Sequence, residues 1–371
     1  MASPPTRSRD ELSRARLAGP DEGISPEELS LAARNHAMPM EALRWDLTPV
    51  GLHYVLVHYD IPALDPAAWR LRVSGLDGSA AALSLADLAE LPRRTVAVTM
   101  ECAGNGRALL EPRPVSQPWL TGAVGTAEWT GVALVDVLAA SGVRPEGREV
   151  VFTGADHGTE RGVEQDYARA LPVAEALRPD VLVATEMNGA PLPVQHGFPA
   201  RLVVPGWYGM AHVKWLTGIE LVDQAFEGFQ HQAYRLRQQP DDEGVPVTRI
   251  LPRALLVPPG FPDFMTRDRT VAAGPVALTG RAWSGCGEVT RVEVSTDDGD
   301  HWADAELAAG TGRYAWRAFR IGWDAEPGDH VLLARATDDT GQVQPGGPAW
   351  SRGGFANNGS EPVRVRVVAP R

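Results

Sequence analysis

Cysteine is nearly absent. The 371 residues hold two, Cys102 and Cys286, too few for a disulfide framework, and no Cys-x-x-Cys-His run exists to attach a haem. Long apolar runs are also missing: none approaches the roughly 20 residues of a membrane-crossing helix. Positive charge is in deficit, with 35 basic against 47 acidic residues and a net charge of −12. That balance gives no reason to expect nucleic acid or an anionic membrane as a partner. It also repels small anions at a distance, so any anion site has to be a local cluster of arginines. The stretch from Met1 to Gly23 lacks an apolar signal core and a twin-arginine pair. The expectation is a cytoplasmic protein with a mobile tail over residues 1–30.

Glycine and proline are plentiful, 38 and 31 residues, which favours short strands and turns over a helical bundle. Pro26 to His36 reads as helical. Gly51 to Pro62 is β-rich, Trp69 to Val73 reads as a strand, and Gly75 to Gly78 as a turn. Ser84 with Asp87 forms a capping-box pattern. Thr95 to Met100 reads as a buried strand, and Thr130 as the cap of a helix over Val132 to Ala140 stopped by Gly142. Further strands are expected at Val150 to Phe152, Val181 to Thr185 and Arg201 to Val204. Pro240 to Pro262 reads as a linker. Beyond it the pattern is all-β: Val276 to Ala282, Val289 to Ser295, an Asp297-Asp298-Gly299 hairpin signal, Trp302 to Leu307, Tyr314 to Ile321, Val331 to Ala336 and Val363 to Val367. The expected domains are a catalytic domain over 31–240 and an immunoglobulin-like sandwich over 241–371.

Two segments carry chemistry. In Thr99-Met-Glu-Cys-Ala-Gly-Asn-Gly-Arg107 a strand runs into a glycine-rich turn with Cys102 at its end. A single free cysteine is more often a small buried hydrophobe than a reactive group. Here Gly104 and Gly106 permit close approach of a ligand, and Arg107 would favour the thiolate, the form that binds a soft metal. The second segment, Glu186 to Trp215, is crowded with turn residues yet holds His196, Arg201, His212 and Lys214, a set suited to a phosphate-bearing ligand. Its bland alternative is a proline-rich connection with solvated charges, and for Trp119 and Tyr167 the bland alternative is core packing.

Cys102-Ala-Gly-Asn-Gly-Arg107 resembles the cysteine signature of the sulfite oxidase family of molybdopterin enzymes. Met187-Asn-Gly, His196-Gly-Phe-Pro-x-Arg201, Val204-Pro-Gly206 and His212-Val-Lys-Trp-Leu216 are similar to its second signature, in the same order. Gly122 to Gly131 is similar to the stretch between them. Thr279 to Gly285 and Val292 to Gly299 resemble its C-terminal dimerisation domain. The resemblance spans Asn35 to Val368. It implies an α+β architecture, a mixed α/β molybdopterin domain followed by the all-β sandwich. It also implies a molybdenum–molybdopterin cofactor with Cys102 as the metal ligand. His196, Arg201, His212 and Lys214 would hold the pterin and its phosphate, with Asp156 near the ring and His53, Tyr54 and His58 on an early cofactor-contacting strand. Arg107, Trp119, Tyr167 and Arg352 fall where the family builds its oxyanion pocket.

Leu56 stands where the family has an arginine, and Gly106 where the cysteine loop often carries another. The resemblance implies oxidation of sulfite or a similar small oxyanion, with electrons passing to dioxygen or a separate redox carrier, in a homodimer. The less cationic pocket leaves a molybdenum enzyme for an S- or N-oxide as the alternative. A non-catalytic dimeric binding protein is the third reading.

Overall fold

The computed structural model describes residues 16–369. Of the expected mobile tail, residues 1–15 lie outside the described residues, and residues 16–30 are not a tail. Leu17 bridges Pro114, and Ala18 donates its N–H to Arg113 at 2.8 Å. Helix α1 (Pro26–Arg34) begins with a full capping box between Ser25 and Glu28. Glu28 is only 1% exposed and also pairs with Arg113. A carboxylate so buried requires a partner, and that partner fixes the N-terminal segment.

The first region carries β1 (Leu71–Ser74), β2 (Ala80–Leu83), β3 (Arg93–Glu101), β4 (Val124–Ala133), β5 (Glu149–Glu160), β6 (Val163–Pro172), β7 (Leu182–Met187), β8 (Ala190–Pro191), β9 (Arg201–Val203) and β10 (Leu216–Val222). Short helices α2 (Leu85–Ala89), α3 (Leu134–Ala140), α4 (Val173–Ala176) and α5 (Phe229–Ala233) connect them. One sheet runs β2-β1-β10-β5-β6, with only β1 and β10 parallel; the other runs β3-β4-β7-β8, with β9 also paired to β7. A common core joins their inner faces: Phe152, Leu171 and Ile219 from the first, Val132, Val183 and Leu202 from the second.

The second region carries β11 (Arg235–Leu236), β12 (Val245–Pro246), β13 (Arg253–Leu256), β14 (Phe261–Pro262), β15 (Arg269–Ala272), β16 (Gly274–Trp283), β17 (Val289–Ser295), β18 (Ala303–Asp304), β19 (Glu306–Leu307), β20 (Arg317–Ala325), β21 (Gly328–Asp338) and β22 (Val363–Val368). Sheets β13-β16-β20-β19 and β14-β15-β22-β21-β17-β18 enclose a core that includes Leu256, Leu278, Val292, Phe319, Leu332 and Val365. A further core unites the two regions, with Met38, Leu43, Ala103, Val124 and Tyr208 packed on Leu255, Trp283, Trp316 and Phe355.

Several elements differ from the sequence reading. Gly51 to Pro62 makes one bridge, Val55 to His36, and no strand. His53, Val55 and Val57 are buried in alternation, but no strand lies alongside, and the Val57 N–H goes to the Asn35 side chain at 2.7 Å. Thr130 sits inside β4, bonded to Thr95 across the ladder at 2.8 Å, and α3 starts at Leu134. The expected linker contains β13, whose four residues are all buried in the second region's sheet. Trp302 to Leu307 is two strands, because β18 pairs with β17 in one sheet and β19 with β20 in the other.

Candidate active site

Strand β3 ends at Glu101, and the chain turns at once. Cys102 donates its N–H to Ala123 at 2.9 Å, Asn105 to Cys102 at 2.9 Å and Arg107 to Gly104 at 3.0 Å. Gly106 has φ +83°, and a side chain there would strike Asn357. At Gly104 a side chain would strike the Arg107 guanidinium, which folds back over the turn. Gly106 is therefore required by its backbone, while Gly104 leaves room for the guanidinium.

A cleft of about 60 Å³ lies in front of Cys102. Its walls include His53, Tyr54, Leu56, His58, Asp156, Tyr167, His196, Arg201, His212 and Lys214, all but one of them residues the sequence singled out as site candidates and Leu56 the departure already noted. They arrive from four places: the irregular 53–58 segment, the bulged start of the β5–β6 hairpin, the turn before β9, and the approach to β10. Tyr234, Gln195 and Met100 also line the cleft. Sequence reading missed Tyr234, whose hydroxyl lies 2.9 Å from His58 Nε2.

Lys214 carries a further sequence signal: it is the sole lysine among the 35 basic residues.

Behind the cleft, Trp119 and Ala123 pack against Cys102. Burial pushes the Cys102 thiol up; Arg107, the Gly104 N–H and the Trp119 indole pull the other way and do not prevail. The expected thiolate is thus not favoured by Arg107 alone, because Cys102 is 5% exposed and desolvation wins. A metal cation bound there would supply the missing charge.

Arg107 is itself buried, donating through Nε to Gly353 at 2.9 Å and through Nη1 to Gln117 at 3.1 Å. Arg352 does not line the cleft; its backbone N–H binds Arg237 at 2.8 Å, and it sits at the edge of the segment that covers Arg107. Of the four expected pocket residues, only Tyr167 faces the cleft, with its hydroxyl donating to Met210 at 2.8 Å.

Burial dominates the electrostatics. It pushes His53 down to about 4, His58 to about 3, His196 to about 2 and His212 to about 3, so all four rings are neutral at pH 7. Lys214 is pushed down to about 7 by burial and by Arg201, and burial pushes Asp156 up to about 6. The Lys214 ammonium donates to Leu56 at 2.8 Å and Gln195 at 3.1 Å. Arg201 donates to His196 at 2.9 Å and His212 at 3.2 Å, and stacks 4.6 Å over Trp129. His212 departs from its expected role: Nδ1 accepts from the Val204 N–H and Nε2 faces Trp207, both at 3.1 Å. Its ring is spent on backbone and has nothing left for a ligand.

His53 Nε2, His196 Nε2, Asp156 Oδ1 and Arg201 Nε are buried with no hydrogen-bond partner. Such orphans are costly unless a ligand completes them. No three His, Cys, Asp or Glu side chains among the described residues are gathered to hold a metal by themselves. One sulfur, with orphaned donors and acceptors facing the same cleft, suits a metal delivered inside a polar organic group.

A cleft of this kind, in an α+β domain joined to a two-sheet domain, defines a molybdopterin-dependent oxidoreductase. Residues 58–230 match the oxidoreductase molybdopterin binding domain, and residues 262–367 the Mo-co oxidoreductase dimerisation domain. The mitochondrial sulfite oxidase of Rattus norvegicus is 35% identical over 99% of this chain and 69% of its own length. That of Homo sapiens is 36% identical over 86% of this chain and 62% of its own. The sulfane dehydrogenase SoxCD of Paracoccus pantotrophus superposes with a TM-score of 0.78 at 27% identity, over 96% of this chain and 89% of that one. The chain belongs to the sulfite oxidase family, and its cofactor is molybdenum–molybdopterin. Among the described residues no helix is long and apolar enough to cross a membrane.

Proposed function

We propose that the protein oxidises sulfite to sulfate, as a homodimer, and passes the electrons to a separate acceptor. Sulfite and water give sulfate, two protons and two electrons, so dioxygen or a redox carrier must take the pair. One observation carries the reading: a buried cysteine, flanked by a buried arginine, opens on a cleft lined with orphaned cationic and imidazole groups. The molybdenum–pterin group, when bound, supplies oxygen-atom transfer and the two-electron redox change.

The other tasks fall to the chain. Cys102 would ligate the metal through its sulfur. Lys214, Arg201, His53, His196 and Asp156 would hold the pterin and its phosphate, the last four through atoms that otherwise have no partner. Tyr54 and His58 would wall the same group, with His58 held in orientation by Tyr234. Arg107, buried beside Cys102 but outside the cleft lining, would add positive charge behind the site while Gly353 and Gln117 hold it in place. Trp119 excludes water behind the sulfur. Tyr167 is fixed by Met210 and packs on His58 with ring centroids 4.8 Å apart. It shapes the cleft and can present its hydroxyl oxygen to a proton donor. Arg352, outside the cleft lining, is given no contact with substrate.

A second reading has one observation in its favour. Leu56 lines the cleft, so a less anionic substrate such as an S- or N-oxide finds apolar surface there. Steady-state turnover of the molybdenum-loaded protein decides between them. Sulfite-dependent reduction of dioxygen or an artificial acceptor is expected. Turnover only when a reduced dye is offered with an S- or N-oxide would reject the sulfite reading.

A further inference from the structure

Glu101 is the residue before the metal-ligating cysteine, and its carboxylate is 1% exposed. Three donors converge on it. Arg253 Nη1 lies 2.8 Å from Oε1, Asn105 Nδ2 2.9 Å from Oε1, and Trp283 Nε1 2.9 Å from Oε2. Asn105 belongs to the Cys102 turn, whereas Arg253 (β13) and Trp283 (β16) belong to the C-terminal sheet. Arg253, also 1% exposed, spends the same Nη1 on the Asn357 carbonyl at 2.8 Å. Asn357 Nδ2 then donates to Gly106 at 3.0 Å, and the Ala356 N–H to Ala103 at 2.8 Å. Glu101 and the 102–107 turn are thus held between the 120–123 segment, through Leu120, Thr121 and Ala123, and the C-terminal domain, through Arg253, Trp283, Ala356 and Asn357.

We propose that Glu101 is the positioning residue of the Cys102 sulfur. Through Arg253, Trp283 and Asn357, the C-terminal domain sets where that sulfur stands, a task separate from joining two subunits. The argument is geometric. Glu101 and Cys102 point to opposite sides of one extended backbone, so clamping the first carboxylate fixes the Cα from which the sulfur projects. Asn105 shares Oε1 with Arg253, which ties the far end of the turn to the same point. A buried ion pair contributes little to stability when compared with apolar packing of the same shape. What it supplies is a unique register, and the turn beside a metal ligand is where register matters. A displacement of about 1 Å at a reacting centre can cost on the order of 100-fold in rate.

The test uses the holoenzyme and does not depend on which substrate is turned over. Glu101→Gln keeps size and acceptor oxygen but removes the charge that holds Arg253. Expected are a changed thiolate-to-metal charge-transfer absorption and loss of molybdenum on dialysis faster than in the parent. A kcat lowered about tenfold, with KM within about twofold, should accompany them. Should that variant fail to fold, Trp283→Phe removes one donor while keeping a ring beside Trp316, and the same spectral change is expected at smaller amplitude. A lowered Tm with unchanged absorption, metal retention and kcat would reduce Glu101 to structural glue and overturn the proposal. Absence of sulfite turnover in the parent, with the spectral shift intact, would instead count against the substrate assignment alone.

Discussion

At the scale of single residues, the proposed site turns on a sulfur whose burial favours the thiol. Cys102→Ser should leave a folded protein whose molybdenum content, measured by elemental analysis, falls to near zero. Loss of activity should exceed about 100-fold, the upper range for changes to groups that merely support a metal ligand. Leu56 projects into the cleft beside Cys102, so Leu56→Arg restores a cation where an oxyanion would bind. A KM for sulfite lowered about tenfold is expected, in line with one charge-assisted hydrogen bond. An unchanged KM would mean that substrate never meets this side chain. Cys102, the glycines around it and the His196 to Lys214 segment were legible because their chemistry is written in consecutive residues. Tyr234 was not, since it reaches His58 across 176 positions of sequence. Nor was the idle state of His212, which depends on backbone groups that fold back around its ring.

Among the elements, irregular segments carry the function and regular ones aim them. The 53–58 stretch alternates as a strand does, and sequence reading took it for one. With no strand alongside, both of its faces reach the cleft, His53 and Val55 as well as Tyr54, Leu56 and His58. Thr130 misled for a related reason: a threonine before an apolar run suits a helix cap and a cross-strand pair equally, and Thr95 opposite decides the matter. The Cys102 turn offers the sharpest test at this scale. Gly106→Ala must adopt φ +83° and displace Asn357. A cost of about 1–3 kcal/mol is expected, read as a lower Tm. If Tm is unchanged, the turn is looser than its contacts imply.

For the whole molecule, burial of titratable groups sets the acid limit. His53, His58, His196 and His212 are depressed from 6.5 to about 4, 3, 2 and 3. The unfolded chain takes up these protons as pH falls below 6.5, while the folded one refuses them until far lower. Their contribution is therefore fully present above pH 6.5 and lost on acidification, with a slope of up to about 1.4 kcal/mol per pH unit for each ring. Asp156, raised to about 6, acts in the opposite sense but is one group against four. Tm of the cofactor-free protein should fall steeply from pH 6.5 to 4.5, and His196→Asn should flatten that fall by about one proton. An equal slope in the variant would show that the ring is protonated in the folded state. The two-region plan was readable from composition and strand spacing, but the buried seam between the regions was not. Arg253 fell in the expected linker and Trp283 in the expected sandwich, and nothing in their local sequence marks them as partners of Glu101.

The solitary lysine has a practical consequence. With one lysine side chain, and that one turned into the cofactor cleft, the folded surface offers no side-chain amine to acylating or cross-linking reagents among the described residues. A lysine-specific protease has a single peptide bond to cut, between Lys214 and Trp215, and the indole after it is fully enclosed. Cleavage at that bond therefore clocks how often the heart of the molecule opens, and a tightly held cofactor should stop the clock.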